Sequence, residues 1–156
     1  LLVRERQLPA IREHGFSICC DDAFRATRRS LAAATPSELP ENPDLVVMAV
    51  KRFDTDAALL QLKGAFPAGT VIASLQNGLA HEARIAPPFP ATPVAAASIC
   101  ASLEMTDSGM TKWPDDRGGL AAACYRGDPE LVRGALEAVV PLTGREFKLV
   151  AGDNAA

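Results

Sequence analysis

Aromatic residues, histidines and long apolar runs are scarce in this chain. Aromatics make up 5 % of its 156 residues, and its two histidines are His14 and His81. Neither histidine stands at a zinc-ligand spacing from other ligands, so no metal site is expected. No run of 18 apolar residues occurs, and therefore no transmembrane helix is predicted. The N-terminus also lacks the basic-then-apolar pattern of a secretory signal.

The charge balance and the cysteines narrow the class of protein further. Because the formal net charge is −3, no general attraction to nucleic acid or to an anionic membrane is expected. Four cysteines are present, but no two of them form a C-x-x-C pair: Cys19, Cys20, Cys100 and Cys124. Free thiols are therefore expected, which favours a reducing compartment such as the cytoplasm.

Three sequence motifs that would identify a reaction directly are missing. The chain contains no G-x-G-x-x-G dinucleotide fingerprint that follows a strand, no P-loop and no G-x-S-x-G nucleophile elbow. Cys100 and Cys124 have no histidine nearby in sequence that would make a nucleophilic pair, so both are expected to pack in strands.

A strand–helix–strand unit is present at residues 44–79. Two apolar runs, residues 45–50 and 70–75, flank a helix that is predicted to begin at Asp54. Continuous apolar strands that alternate with a helix are typical of a parallel sheet covered on both faces. The helix is predicted to turn four residues toward the core: Ala58, Leu62, Ala65 and Phe66.

The other segments indicate an α/β fold, with mostly parallel strands and an antiparallel portion late in the chain. Residues 24–34 are less clear, and one interpretation is that they form the second strand of a hairpin across Asp21-Asp22. Residues 110–113 and 119–124 are predicted to form two antiparallel edge strands. Further strands are predicted at residues 1–4, 16–20, 94–101 and 146–150. Further helices are predicted at residues 7–14, near 81–85 and after Asp128-Pro129.

Three polar residues are candidates for a ligand site, because ligands bind outside the carboxyl ends of parallel strands. Lys51 could donate to a hydroxyl, phosphate or carboxylate, or it is a solvated lysine that merely ends a strand. The Asn77 amide could donate and accept, or Asn77-Gly78 is only a turn. Arg4 could accommodate a 2′-phosphate if it ends the second strand of a dinucleotide-binding fold, or it belongs to a charged loop.

Taken together, these segments resemble the ketopantoate reductase (2-dehydropantoate 2-reductase) family. The resemblance is carried by LVVMAVK at 45–51, PAGTVIASLQNG at 67–78 and the opening LLVRERQLPAIREHGFSI at 1–18. It covers nearly the whole chain, and the combination of A-V-K with L-Q-N-G at this spacing is its most specific part.

The resemblance implies NADPH-dependent reduction of a small 2-oxo acid, 2-dehydropantoate, to pantoate in pantothenate biosynthesis. It implies a Rossmann-like NADP-binding domain at residues 1–150, followed by the start of a linker at 151–156. By position, Arg4 would contact the 2′-phosphate and Lys51 would lie near the nicotinamide. Asn77 would lie beside the nicotinamide ribose and the substrate. The resemblance assigns no catalytic residue and no metal ligand to this chain, and it leaves a homodimer open.

Two parts of the family pattern do not occur in these residues, namely the Gly-rich first strand before Leu1 and the all-helical domain after Ala156. We therefore expect an incomplete domain from a longer polypeptide, which alone binds NADPH weakly or not at all and is inactive. Two alternatives stay open. One is a related NADP-dependent 2-hydroxy-acid dehydrogenase, and the other is a non-catalytic nucleotide-sensing domain.

Overall fold

The computed structural model describes residues 2–3, 5–20, 24–28, 35–38, 42–100, 104–105, 111–112, 119–138 and 147–149. The chain divides into two compact units, Leu1–Pro40 with Cys100–Arg117 and Glu41–Ile99 with Gly118–Ala156. The helices are α1 (Leu8–His14), α2 (Thr55–Leu62), α3 (His81–Ile85) and α4 (Pro129–Glu137). The strands are β1 (Phe16–Cys20), β2 (Phe24–Arg28), β3 (Leu45–Met48), β4 (Val71–Ser74), β5 (Val94–Cys100), β6 (Glu104–Met105), β7 (Thr111–Lys112), β8 (Gly119–Arg126) and β9 (Phe147–Leu149).

The second unit is built on a five-stranded sheet in the order β3-β4-β5-β8-β9. The strand pairs β3–β4, β4–β5 and β8–β9 are parallel. Parallel neighbours need a crossover connection, and α2 supplies the one between β3 and β4. The predicted mostly parallel α/β fold is therefore confirmed.

The core of this unit lies between the sheet and α4. The four residues of β4 are all buried, as expected for a strand covered on both faces. Val132 and Leu136 of α4 complete a buried cluster whose other members are Val71, Ala73, Ala95 and Ala122. The helix starts as predicted, because the Asp128 side chain accepts a hydrogen bond from the Glu130 amide at 2.9 Å and Pro129 occupies the first turn.

The buried face of helix α2 agrees with the prediction only in part, at Leu62. Its buried residues are Thr55, Leu59 and Leu62, which follow the i, i+4, i+7 spacing of one helical face. Ala58 is only half-buried, and Ala65 and Phe66 lie beyond the end of the helix. A 3₁₀ turn at Arg52–Asp54 precedes the helix.

The first unit contains a four-stranded sheet in the order β2-β1-β7-β6. Strands β1 and β2 are antiparallel, which confirms the hairpin that the sequence left open. Strand β7 runs parallel to β1 and antiparallel to β6.

The predicted antiparallel pair of residues 110–113 and 119–124 is wrong. Strand β7 belongs to the four-stranded sheet, whereas β8 lies between β5 and β9 in the other. The difference follows from burial. The small apolar residues of β8 contribute Ala122 to the core cluster, while β7 is a short Thr-Lys pair with Lys112 exposed.

At the start of the chain the structure agrees with only part of the predicted pattern. Helix α1 ends at His14, where the Gly15 amide donates to the Ile11 carbonyl at 2.8 Å. A strand was predicted at residues 1–4. Within it, Leu2 forms a single β-bridge, and Leu1 and Arg4 lie outside the described residues. None of the helices in the described ranges has the length and apolarity needed to cross a membrane.

Candidate functional site

Lys51 and Asn77 follow the carboxyl ends of two neighbouring parallel strands. Met48 of β3 pairs with Ser74 of β4. Lys51 is the third residue after Met48, and Asn77 is the third residue after Ser74. Both residues are exposed. The structure therefore brings these two predicted site residues to the same edge of the sheet, as expected for a ligand site in this class of fold.

A buried glutamine joins the two strand ends. Gln76 Nε2 donates to the Val50 carbonyl at 2.8 Å and to Thr55 Oγ1 at 2.8 Å. Gln76 and Thr55 are both buried. The backbone pairing also continues past β3 and β4, since the Leu75 amide donates to the Met48 carbonyl at 2.9 Å. The segments that carry Lys51 and Asn77 are thus tied by backbone and side-chain hydrogen bonds.

The backbone around Lys51 turns directly into α2. Lys51 has an extended conformation, with φ −64° and ψ 150°, and precedes the 3₁₀ turn at Arg52–Asp54. The Asp54 amide donates to the Lys51 carbonyl at 2.8 Å, which closes that turn. The Lys51 ammonium, which carries three donors, therefore extends from a backbone that is held on both sides.

The turn after Asn77 is held by His81. The ring Nε2 of His81 lies 3.0 Å from the Asn77 carbonyl. Because a carbonyl can only accept, this bond places a proton on Nε2. Gly78 has φ +112°, and a Cβ at this position would lie 3.1 Å from His81 Nε2. The left-handed backbone at this position favours glycine, and a Cβ there would also require the His81 ring to shift slightly.

The predictions from sequence omitted three residues that shape this edge, namely Gln76, Thr55 and His81. The available signal was a polar Gln that follows the mostly apolar run 70–75 and directly precedes Asn77. Arg4, the third predicted contact, lies outside the described residues, and its contact with a 2′-phosphate stays a prediction.

Large apolar side chains are exposed next to the two polar candidates. Phe53 is 81 % exposed in the turn after Lys51, and Leu79 is 93 % exposed two residues after Asn77. Val50, which precedes Lys51, is also exposed. Exposed apolar surface beside polar donors is typical of a surface that contacts a ligand or another protein segment.

Metal binding and attack by the Cys124 thiol find little support in the part of the chain that the structure describes. In these ranges, no group of three or more His, Cys, Asp or Glu side chains could hold a metal ion. Cys19 and Cys124 are free thiols. Burial, and secondarily the Asp128 carboxylate, raises the pKa of the Cys124 thiol. This thiol is therefore less ionised than an ordinary cysteine and poorly suited to act as a nucleophile.

Comparison with known proteins gives consistent results. The family model for ketopantoate reductase PanE/ApbA matches residues 1–124. A 2-dehydropantoate 2-reductase of Halobacterium salinarum is 28 % identical over 153 residues, which cover 98 % of this chain and 50 % of the relative.

Solved structures share the fold at lower sequence identity. The 2-dehydropantoate 2-reductase of Methylococcus capsulatus superposes with a TM-score of 0.82 at 20 % identity, covering 98 % of this chain and 49 % of that one. A D-mandelate dehydrogenase in complex with NADH and anilino(oxo)acetate has a TM-score of 0.75 at 17 % identity, covering 95 % and 46 %. The chain thus spans about half the length of the relatives that it matches.

Proposed function

Because the chain belongs to the ketopantoate reductase family, we propose that the protein reduces 2-dehydropantoate to pantoate with NADPH and that Lys51 and Asn77 contact the nicotinamide half of the cofactor. The observation that carries the proposal is the matched position of two exposed polar residues after Met48 and Ser74, at the carboxyl edge of a parallel sheet. This edge is where the fold class binds nucleotides.

The side chains at this edge fit the groups of the cofactor. Lys51 offers charge-assisted donors for a ribose hydroxyl or for the carboxylate of a 2-oxo acid. Asn77 offers both a donor and an acceptor, which matches a ribose hydroxyl or the polar end of a substrate. Arg4 is proposed to take the 2′-phosphate, since its planar fork suits that group. NADPH, when bound, supplies the hydride, and these residues bind and orient the cofactor.

A second candidate function is the reduction of a different 2-oxo acid. The D-mandelate dehydrogenase structure was determined with NADH and has the same fold as this chain. The fold by itself therefore selects neither the 2-oxo acid nor the choice between NADPH and NADH. The side chains that contact the cofactor and the substrate must make that selection.

The test is a titration of the full-length protein with NADPH and NADH, followed by assays on 2-dehydropantoate and on aromatic and aliphatic 2-oxo acids. Tighter binding of NADPH and the highest kcat/KM on 2-dehydropantoate are expected. Tighter binding of NADH would overturn the role of Arg4, and preference for another 2-oxo acid would favour the second candidate. Cofactor binding without turnover of any 2-oxo acid would indicate a nucleotide-sensing protein.

A charge-matched pair of variants tests the role of Lys51. Lys51→Met should weaken NADPH binding by about 10-fold or more, as expected from the loss of a hydrogen bond that involves a charged group. Lys63→Met is the control. Lys63 is also exposed, but it follows the far end of α2, away from the carboxyl edge of the sheet. If the two variants weaken NADPH binding equally, Lys51 does not contact the cofactor.

A further inference from the structure

We propose that Gln76 is a positioning residue that sets the spacing between Lys51 and Asn77, and so controls how tightly the nicotinamide half of NADP is held. The inference rests on the proposed function, because it takes this cofactor as the ligand of the two strand ends.

The hydrogen bond from Gln76 to Val50 joins the residues that directly precede the two candidate contacts. Gln76 directly precedes Asn77, and its acceptor Val50 directly precedes Lys51. The Leu75–Met48 bond already extends the pairing of β3 and β4 beyond Ser74, and the Gln76 side chain adds a further link nearer the ligand edge. A change in this bond would therefore move the two candidate contacts relative to each other.

The Gln76 amide nitrogen has a second hydrogen-bond acceptor, at the start of α2. Gln76 Nε2 also donates to Thr55 Oγ1, on the first residue of α2. Val50 and Thr55 are the two residues on either side of the segment 51–54, which consists of Lys51 and the 3₁₀ turn. One buried amide nitrogen thus holds both ends of the short segment from which Lys51 extends. A side chain that is already held in its bound geometry loses less conformational entropy when the ligand binds.

The orientation of the Gln76 side-chain amide is set by its acceptors. The Val50 carbonyl only accepts hydrogen bonds, so Nε2 must face it. This leaves Gln76 Oε1 buried, without a hydrogen-bond partner in the described part of the chain. An unsatisfied buried acceptor is unfavourable for folding. The amide is thus oriented by its two acceptors on either side of segment 51–54, at the cost of an unpaired Oε1.

The experiment measures NADPH affinity and thermal stability for the full-length protein and its Gln76→Met variant, each with Lys51 and with Lys51→Met. Gln76→Met should weaken NADPH binding about 10-fold when Lys51 is present, the effect of about one hydrogen bond. In the Lys51→Met protein the same change should weaken binding less than about 2-fold, because residues that act through each other are non-additive.

Thr70→Val is the matched control for structural damage. Thr70 is buried next to the amino end of the same strand, β4, and its Oγ1 donates to the Pro43 carbonyl at 2.8 Å. Its loss should lower the thermal stability while leaving NADPH affinity within about 2-fold of the unmodified protein, since it lies at the opposite end of the strand from the ligand edge.

The outcomes separate this inference from the proposed function. If the unmodified protein does not bind NADPH, the proposed function and the inference both fail. If the unmodified protein binds NADPH and a folded Gln76→Met variant binds it equally well, only the inference is overturned. The same holds if Gln76→Met weakens NADPH binding as much in the Lys51→Met protein as in the protein that has Lys51. If Gln76→Met does not fold, Thr55→Val is tested in its place, because it removes one of the two acceptors. Thr55→Val must then weaken NADPH binding by a smaller factor, and only when Lys51 is present.

Discussion

Among single residues, two glycines with nearly the same backbone angle differ sharply in their surroundings. Gly69 has φ +103° and Gly127 has φ +104°. A Cβ on Gly69 would meet no atom within 4 Å, whereas a Cβ on Gly127 would lie 2.8 Å from Pro93 Cβ and 2.9 Å from Pro93 Cα. Both positions favour glycine through the backbone, but only Gly127 also requires the absence of a side chain.

This pair predicts different costs for the same substitution. Gly69→Ala should lower the free energy of unfolding by about 1–2 kcal/mol, the cost of a left-handed backbone for a non-glycine residue. Gly127→Ala should cost about 1–3 kcal/mol more, because the overlap is with backbone as well as side-chain atoms of Pro93. Urea unfolding of both variants measures the difference. Equal losses would show that the Pro93 backbone moves away without cost.

Among the secondary-structure elements, the end of β8 anchors the connection between α3 and β5. Arg126, the last residue of β8, donates to the carbonyls of Ala86 at 2.8 Å and Thr92 at 2.9 Å, and also to that of Phe89. The guanidinium presents five donors in a fixed plane, which lets one side chain bind several carbonyls at once. Segment 86–92 contains no helix or strand. Its turns have backbone bonds from the Phe89 amide to the Ala86 carbonyl and from the Thr92 amide to the Phe89 carbonyl, and the Arg126 bonds add to them.

Removing this anchor should destabilise one segment specifically. Arg126→Met should lower the free energy of unfolding by about 2 kcal/mol or more, since hydrogen bonds with a charged donor contribute about 1.5–3 kcal/mol. Amide hydrogen exchange should accelerate mainly at residues 86–92. Arg133→Met is the control, because Arg133 pairs with Glu130 on the exposed face of α4, and such pairs contribute about 0–1 kcal/mol. Uniform acceleration over the whole unit would contradict a local role for Arg126.

At the scale of the whole molecule, the chain spans about half the length of the relatives that it matches. Its sequence contains no G-x-G-x-x-G motif after a strand, and no residue in it has been assigned as a proton donor. The pyrophosphate of a dinucleotide is normally held by backbone amides at a helix N-terminus. Lys51 and Asn77 by themselves would therefore provide only the nicotinamide side of the contacts.

The 156 residues expressed alone are accordingly predicted to bind NADPH weakly or not at all and to show no reduction of 2-dehydropantoate. NADPH fluorescence and the decrease in its absorbance measure the two properties. The 2-dehydropantoate 2-reductase of Halobacterium salinarum, assayed in parallel, serves as the positive control. Turnover by the 156 residues alone would show that a catalytic group lies within them.

The fold could be predicted from sequence wherever the signal is local. The apolar runs at 45–50 and 70–75 were sufficient to predict parallel strands, and Asp128-Pro129 was sufficient to predict the start of α4. The pairing of residues 110–113 with 119–124 was predicted wrongly. Both segments have strand character, but β7 pairs with the preceding β6 and with β1, and β8 lies between β5 and β9. The buried face of α2 was predicted correctly only at Leu62, since helical spacing alone allows more than one apolar face in an alanine-rich helix.

The sequence by itself determined that Lys51 and Asn77 follow two strands and therefore belong to one edge of a parallel sheet, because strand direction and strand ends are local properties. Only the tertiary structure decided how that edge is held together. The bond from Gln76 to Val50 joins residues 26 positions apart, and the bond from His81 to Asn77 depends on the burial of the imidazole ring. A polar side chain becomes a positioning group only when packing removes water and leaves it a single set of partners.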